Sequence, residues 1–167
     1  KLFAHLGAEP LDDEFSGDYL YDKIHRVSEN KARKKLNKAP LKPITRPIKA
    51  VIMDQVFVVG VGNIYATESL FMSGIHPSMP AHKLSKSKLS ELAEHIRSIL
   101  KRAIIQGGST LKDFTVASGT TGYFQQTLLV YGKHKLPCPT CDSPIDKVTI
   151  TGRASTFCPN CQPEPRQ

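Results

Sequence analysis

The sequence predicts a mainly α chain: a helical bundle containing a helix-turn-helix-like pair, closed by a small β-hairpin ribbon. Three observations carry this. Apolar residues recur at 3- and 4-residue steps between Leu89 and Ile104. Two short apolar segments flank a Gly60-Val-Gly-Asn63 turn. Four cysteines fall as two Cys-x-x-Cys pairs, Cys138/Cys141 and Cys158/Cys161, with sixteen residues between the pairs.

The elements follow in order. Residues 1–10 read as a linker, punctuated by Gly7 and Pro10. Ser16 is placed to cap a helix from 17 to the mid-thirties, with Asp18 in the dipole-favoured first turn. Leu20, Ile24 and Val27 give that helix an apolar face. Pro40, Pro43 and Pro47 then impose extended or turn structure. Pro47 suits the first position of a short helix, Ile48 to about Asp54. The glycine turn follows, then a second helix from Ile64 to Met72, which Gly74 ends. Ser85 caps the long helix, with Leu84 and Leu89 as a hydrophobic staple, and Gly107-Gly108 stop it. Residues 115–127 form a Gly/Ser/Thr-rich loop, and Leu128–Tyr131 an extended lead into the ribbon.

The cysteine spacing fits a tetrahedral four-cysteine zinc site, each knuckle binding one side of the metal and the intervening chain folding as a hairpin. Four thiolates leave no position for water, so this Zn2+, one per chain, is structural. The alternatives are two disulfides or four unrelated cysteines. His134 is not needed as a ligand.

The net charge of the 167 residues is +8. Lys23 to Lys49 holds ten Lys or Arg and one acid, Glu29, so this window alone is +9 and the remainder is nearly neutral. Such a block fits a polyanion, most simply nucleic acid, or equally a solvated surface loop. No stretch of 18 apolar residues argues for a membrane span. No secretory signal opens the chain. Cysteines committed to a metal fit a reducing cytosol.

Taken in order, several motifs resemble the C-terminal half of the formamidopyrimidine-DNA glycosylases. They are Leu6-Gly-Ala-Glu-Pro-Leu11, Val58-Val-Gly-Val-Gly-Asn-Ile-Tyr-Ala66, Glu68-Ser-Leu-Phe71 and Gly74-Ile-His-Pro77. Further on come Gly107-Gly-Ser-Thr-Leu-Lys-Asp-Phe114, Gly122-Tyr-Phe124, Val130-Tyr-Gly132 and the cysteine ribbon. The resemblance separates the chain less sharply from the related endonuclease VIII group, but Gly107-Gly-Ser-Thr-Leu-Lys-Asp-Phe114 and Gly122-Tyr-Phe124 favour the formamidopyrimidine branch. The resemblance implies a mainly α fold, a helix–two-turn–helix bundle followed by a small β-hairpin zinc ribbon with four cysteine ligands. The implied domains are a linker at 1–10, a helical DNA-binding domain at 11–127, a zinc ribbon at 128–162 and a tail at 163–167.

The implied function is base-excision repair: removal of 8-oxoguanine and formamidopyrimidines by base flipping, with nicking by β,δ-elimination. The partner would be double-stranded DNA carrying oxidised purines or abasic sites. The protein would be a monomer of the bacterial cytoplasm, associated with the nucleoid. The family's nucleophile is an N-terminal proline followed by glutamate, on a β-sandwich domain. Lys1 is not that proline, so the expectation is that this chain alone is inactive. A second departure is the stretch from about Ile24 to Arg46, longer and more basic than the family's usual connection.

Site residues carry over by resemblance. Gly62 and Asn63 would hold a phosphate beside the lesion, at a helix N-terminus whose unpaired N–H groups and dipole suit an anion. Lys49 would face the same phosphates, and Arg46 is a further DNA-binding candidate. Arg153, five residues before the third cysteine, would clamp phosphates at the hairpin tip and donate a proton in δ-elimination; its planar fork can grip two oxygens. Tyr123 and its neighbours in 115–127 would close over the everted base. Without the family, each has a plainer role: helix cap, solvated lysine, hairpin-tip charge, surface loop. Glu68 reads either as a solvated helical residue or as a buried brace for the DNA-binding turn. The rival from another class is a non-catalytic zinc-ribbon nucleic-acid-binding module. A third reading is a protein-interaction zinc module.

Overall fold

The computed structural model describes residues 7–107 and 128–165. It is mainly helical, with α1 (Gly17–His25), α2 (Val27–Lys35), α3 (Ile48–Met53), α4 (Asn63–Ser73) and α5 (Lys86–Gly107), and a 3-10 turn at Ala81–Lys83. One antiparallel hairpin follows, β1 (Asp146–Ile150) and β2 (Arg153–Phe157). This is the expected fold class.

The first helix starts where its cap requires. The Ser16 hydroxyl accepts from the Tyr19 N–H at 3.1 Å. It does not run to the mid-thirties, however. Arg26 adopts a left-handed conformation (φ 58°, ψ 36°) and splits the segment into α1 and α2. The Asp22 carboxylate explains the restart: it accepts from the Ser28 N–H at 2.8 Å and the Ser28 hydroxyl at 2.9 Å, re-capping the second helix. Leu20 and Ile24 are fully buried, but Val27 lies beyond the break and is exposed. The apolar face expected of one long helix therefore ends at Ile24.

α5 is the spine. Ser85 caps it through the Lys88 N–H at 3.1 Å, and Leu84 and Leu89 are both buried, as a staple requires. Leu92, Ala93, Ile96, Ile99 and Ala103 continue the buried stripe, while Ile104 turns out to be exposed. α1 and α4 pack along this stripe. Arg97 fastens the segment before α1 to α5, donating to the carbonyls of Pro10, Asp12 and Phe15. Within the described part of residues 1–10, Gly7 and Ala8 lie against the 55–59 segment, and Ala8 is buried.

α3 spans Ile48–Met53, with Pro47 at its N-cap rather than its first turn. Gly74 closes α4 in the left-handed conformation (φ 68°). Residues 128–131 form no strand. They are bent, and their backbone is held by a side chain from α4 instead. Gly108, the loop 115–127 with Tyr123, and Arg166-Gln167 of the tail lie outside the described residues.

Candidate nucleic-acid interface and metal centre

The ribbon hairpin turns on two residues, Thr151 (φ 47°) and Gly152 (φ 77°), with Ile150 and Arg153 paired across the turn. Positive φ at both central positions matches the right-handed twist of the strands. Arg153 therefore leaves the tip at a fixed register, with its side chain exposed.

The other half of the site is the α4 start. Gly60 (φ 85°) makes the turn that a side-chain residue would resist. Gly62 is the N-cap and Asn63 the first helical residue. The first-turn N–H groups of a helix lack intrahelical partners, so this end favours anions. A cavity of about 430 Å3 opens here, lined by Gly60, Gly62, Asn63, Ala103, Tyr131 and Arg153 among others.

Lys49 joins the two halves. It is 1% exposed, against the expectation that a lysine read from sequence alone faces solvent. Its ammonium donates to Asn63 Oδ1 and to Ser155 Oγ (2.7 Å), with the Ala154 carbonyl at 3.5 Å. Asn63 Nδ2 donates to that same carbonyl at 3.2 Å. Burial first, and the Arg153 charge second, lower the Lys49 pKa to about 8. Lys49, Asn63 and Arg153 are thus brought together. Arg46 is not: it pairs with Asp54 at 3.1 Å and lies over the Phe57 ring.

Three further contacts dock the ribbon, and sequence reasoning missed or misplaced each. Glu68 is 1% exposed, and its carboxylate accepts from the N–H groups of Leu129, Val130 and Tyr131 at 2.7–2.9 Å. It braces the lead into the ribbon rather than the glycine turn. Gln162, fully buried, accepts from the Cys158 N–H and donates to the Ile75 carbonyl, both at 2.9 Å. His76 packs tilted (57°) against Phe157 with ring centres 4.4 Å apart, and its Nδ1 accepts from the Ser78 N–H. Burial lowers the His76 pKa, against the opposing pull of Glu164 and Asp146, so the ring is a neutral packing element. The only sequence signals are the Glu68-Ser-Leu-Phe71 and Gly74-Ile-His-Pro77 motifs; nothing marks Gln162.

The four cysteine sulfurs lie within 4.8 Å of one another. Zn–S bonds of about 2.3 Å in a tetrahedron put sulfurs about 3.8 Å apart. The observed Cys138–Cys161 and Cys141–Cys158 separations are 3.9 and 3.4 Å, and all four thiols are free rather than paired as disulfides. Backbone N–H groups of Thr140 and Cys161 point at the sulfurs of Cys138 and Cys158, both at 3.3 Å, as befits thiolates. Ser143 holds the Cys141 thiol low, whereas burial and the neighbouring sulfurs push Cys161 up. Four thiolates this close need a dication between them. The donor set fits zinc.

Comparison with known proteins agrees with both halves. The family described as Formamidopyrimidine-DNA glycosylase H2TH domain matches residues 6–115, and that described as Zinc finger found in FPG and IleRS matches residues 135–163. A formamidopyrimidine-DNA glycosylase of Psychrobacter arcticus is 54% identical over 163 residues, covering 98% of this chain and 53% of that protein. One from Acinetobacter baylyi is 48% identical over 167 residues, 100% of this chain and 55% of the relative. The chain thus spans about half the length of the curated relatives it matches. Among solved structures, the MutM (Fpg) protein of Thermus thermophilus superimposes with a TM-score of 0.75 at 32% identity, over 99% of this chain and 56% of the other. The Lactococcus lactis Fpg bound to FAPY-dG-containing DNA gives 0.76 at 31% identity, over 98% and 53%.

Proposed function

The chain belongs to the formamidopyrimidine-DNA glycosylase family, and from that premise we propose that it is the DNA-gripping half of a base-excision repair enzyme. The substrate would be duplex DNA with an oxidised purine or an abasic site. The whole protein would flip the damaged base out, cleave its glycosidic bond and nick the strand by β,δ-elimination. In this reading the attacking amine lies outside these 167 residues, and the chain alone excises nothing. Residues 1–10 link to it, 11–127 grip DNA, 128–162 form a ribbon around one zinc, and 163–167 are a tail. The protein works as a monomer in the bacterial cytoplasm, on the nucleoid. Among the described residues no helix is long and apolar enough to cross a membrane.

The observation that carries this reading is that Asn63 and Arg153 line one cavity at the start of α4, with the buried Lys49 ammonium bonded to Asn63 and Ser155 behind them. A helix N-terminus, an amide and two cations from separate elements make a phosphate site. Asn63 and Gly62 would take the phosphate beside the lesion. Arg153 would clamp the next and donate a proton in the second elimination. Tyr123 would belong to the loop over the everted base, and Arg46, tied to Asp54, would contact DNA only at the edge.

The test is binding to a duplex carrying an abasic-site analogue. Arg153→Ala should keep zinc and fold but lose about 1.5–3 kcal/mol of affinity, the range for a hydrogen bond to a charged partner. Arg153→Lys should recover only part, since a point charge cannot reproduce a two-pronged grip. Wild-type affinity in both Arg153→Ala and Asn63→Ala would reject the proposed site.

A further inference from the structure

The basic connection between α1 and α3 is a built element. α2 buries none of its nine residues, so core packing does not explain why it is helical. Nine residues are also too few for an isolated helix to persist in water. Side-chain bonds hold it instead. Asp22 caps its start through Ser28. Asn30 grips the returning segment with both ends of its amide, to the Leu41 N–H at 2.7 Å and the Leu41 carbonyl at 3.0 Å. Arg33 Nε donates to the Ala39 carbonyl at 2.7 Å. The return is tied to α1 by the Ile44 N–H on the Ile24 carbonyl, 2.8 Å.

What this scaffold displays is charge of one sign. Lys31 and Lys34 of α2, and Lys38 just beyond its end, line a groove of about 540 Å3 with Val27, Asn30 and Pro40. Lys35 and Lys42, in the same connection, are exposed as well. Among the described residues, no salt bridge engages any of these five lysines. Like charges three and four residues apart oppose a helix. An arrangement that orders such lysines against their own repulsion is one that a row of phosphates would stabilise.

We propose that the α2 patch is a second phosphate-binding surface, which grips the backbone of duplex DNA away from the Asn63–Arg153 site and lengthens the footprint. This rests on the reading that the chain binds DNA. Duplex DNA is favoured by charge complementarity, and because lysines used as point charges read phosphate without base preference. α2 packs chiefly against α1, and none of its residues contributes to the cavity at the α4 start. Its contribution should therefore appear only on DNA long enough to reach it.

The experiment compares the full chain with a Lys31→Gln, Lys34→Gln, Lys35→Gln, Lys38→Gln variant and with Asn63→Ala, on duplexes of one and three helical turns (about 10 and 30 bp). Glutamine keeps helix propensity, and the positions are exposed, so circular dichroism should match the wild type. The quadruple variant should bind the long duplex on the order of tenfold or more weakly, with the slope of log affinity against log salt reduced by about one for each phosphate no longer neutralised. It should bind the short duplex like the wild type, whereas Asn63→Ala should weaken both. If the quadruple variant matches the wild type on both lengths while Asn63→Ala is impaired, the patch does not bind DNA and the inference falls alone. If the quadruple variant loses RNA or polyglutamate binding but no duplex affinity, the patch serves another polyanion and the inference falls too. Failure of the unmodified chain to bind either duplex would overturn the DNA-binding reading as well.

Discussion

The helical body and the ribbon achieve order by different means. The body has a continuous core from Phe15 and Leu20 through Ile48 and Leu70 to Leu92 and Ile96, all fully buried. The ribbon's own cluster is small: Val130, Ile145, Cys138 and Cys158, completed by Phe71 from α4. Two of those residues belong to the four-cysteine cluster. Its hairpin has five residues per strand, and two-stranded hairpins are marginal alone. The polar contacts of Glu68, Gln162 and Lys49 tie the ribbon to the body, and a zinc in the cysteine cluster would be its second source of stability. The body is a support, and the ribbon is a part mounted on it.

Removing the metal should break this comparison most severely. Structural zinc contributes on the order of 10 kcal/mol of apparent folding free energy in small metallo-modules. Strong chelation, or Cys141→Ser, should unfold the ribbon and leave α1–α5 helical. Circular dichroism should retain most of its helical signal, while hydrogen exchange at 146–157 becomes fast. Loss of the whole helical signal on chelation would show that body and ribbon are one cooperative unit.

Glu68 tests the mount. Glu68→Ala leaves the N–H groups of Leu129, Val130 and Tyr131 without their acceptor. Each buried unsatisfied group costs about 1–3 kcal/mol, so a loss of about 3 kcal/mol or more is expected. Zinc content should stay at wild-type level, because no ligand is touched. A urea midpoint unchanged by Glu68→Ala would mean that water replaces the carboxylate freely.

What is legible in the sequence follows the range of the interactions. The Ser16 and Ser85 caps, Gly74, the cysteine knuckles and the hairpin tip are local, and a few residues of context specify them. The break at Arg26 is hidden because its cause is a side chain reaching six residues forward from Asp22. Lys49, Glu68 and Gln162 are harder still. Their partners lie 106, 62 and 87 residues away, and a polar residue's type does not say whether a partner awaits it. Only the family resemblance singles out Lys49, and it does so as a phosphate ligand. Its second task, tying Asn63 to the hairpin, emerges from the structure.

Lys49 should produce a smaller effect than Glu68 on stability. Lys49→Met removes a buried charge, which offsets part of what its lost hydrogen bonds cost. The net should be about 1–2 kcal/mol or less, from the Asn63 and Ser155 groups left unpaired. DNA affinity should suffer more than stability, because Asn63 and Arg153 lose their common tie. Equal affinity in Lys49→Met and wild type would reduce Lys49 to a filler.

The smallest effect is the pH dependence that Lys49 confers, and its sign separates folding from binding. In the unfolded chain a lysine titrates near 10.4, and here the folded value is about 8. Between those values the unfolded state binds more protons, so this group makes folding more favourable as pH rises from about 8 toward about 10.4. DNA binding runs the other way. A phosphate beside the ammonium favours its charged form and raises its pKa in the complex. Binding above pH 8 then takes up a proton, and affinity falls by at most about tenfold per pH unit. Affinity for an abasic duplex, measured from about pH 7 to about 9.5 at constant salt, should be flat to about 8 and then decline. Lys49→Gln should flatten that decline while lowering affinity throughout. Parallel curves for the two proteins would show that the buried ammonium keeps its proton in free and bound states alike.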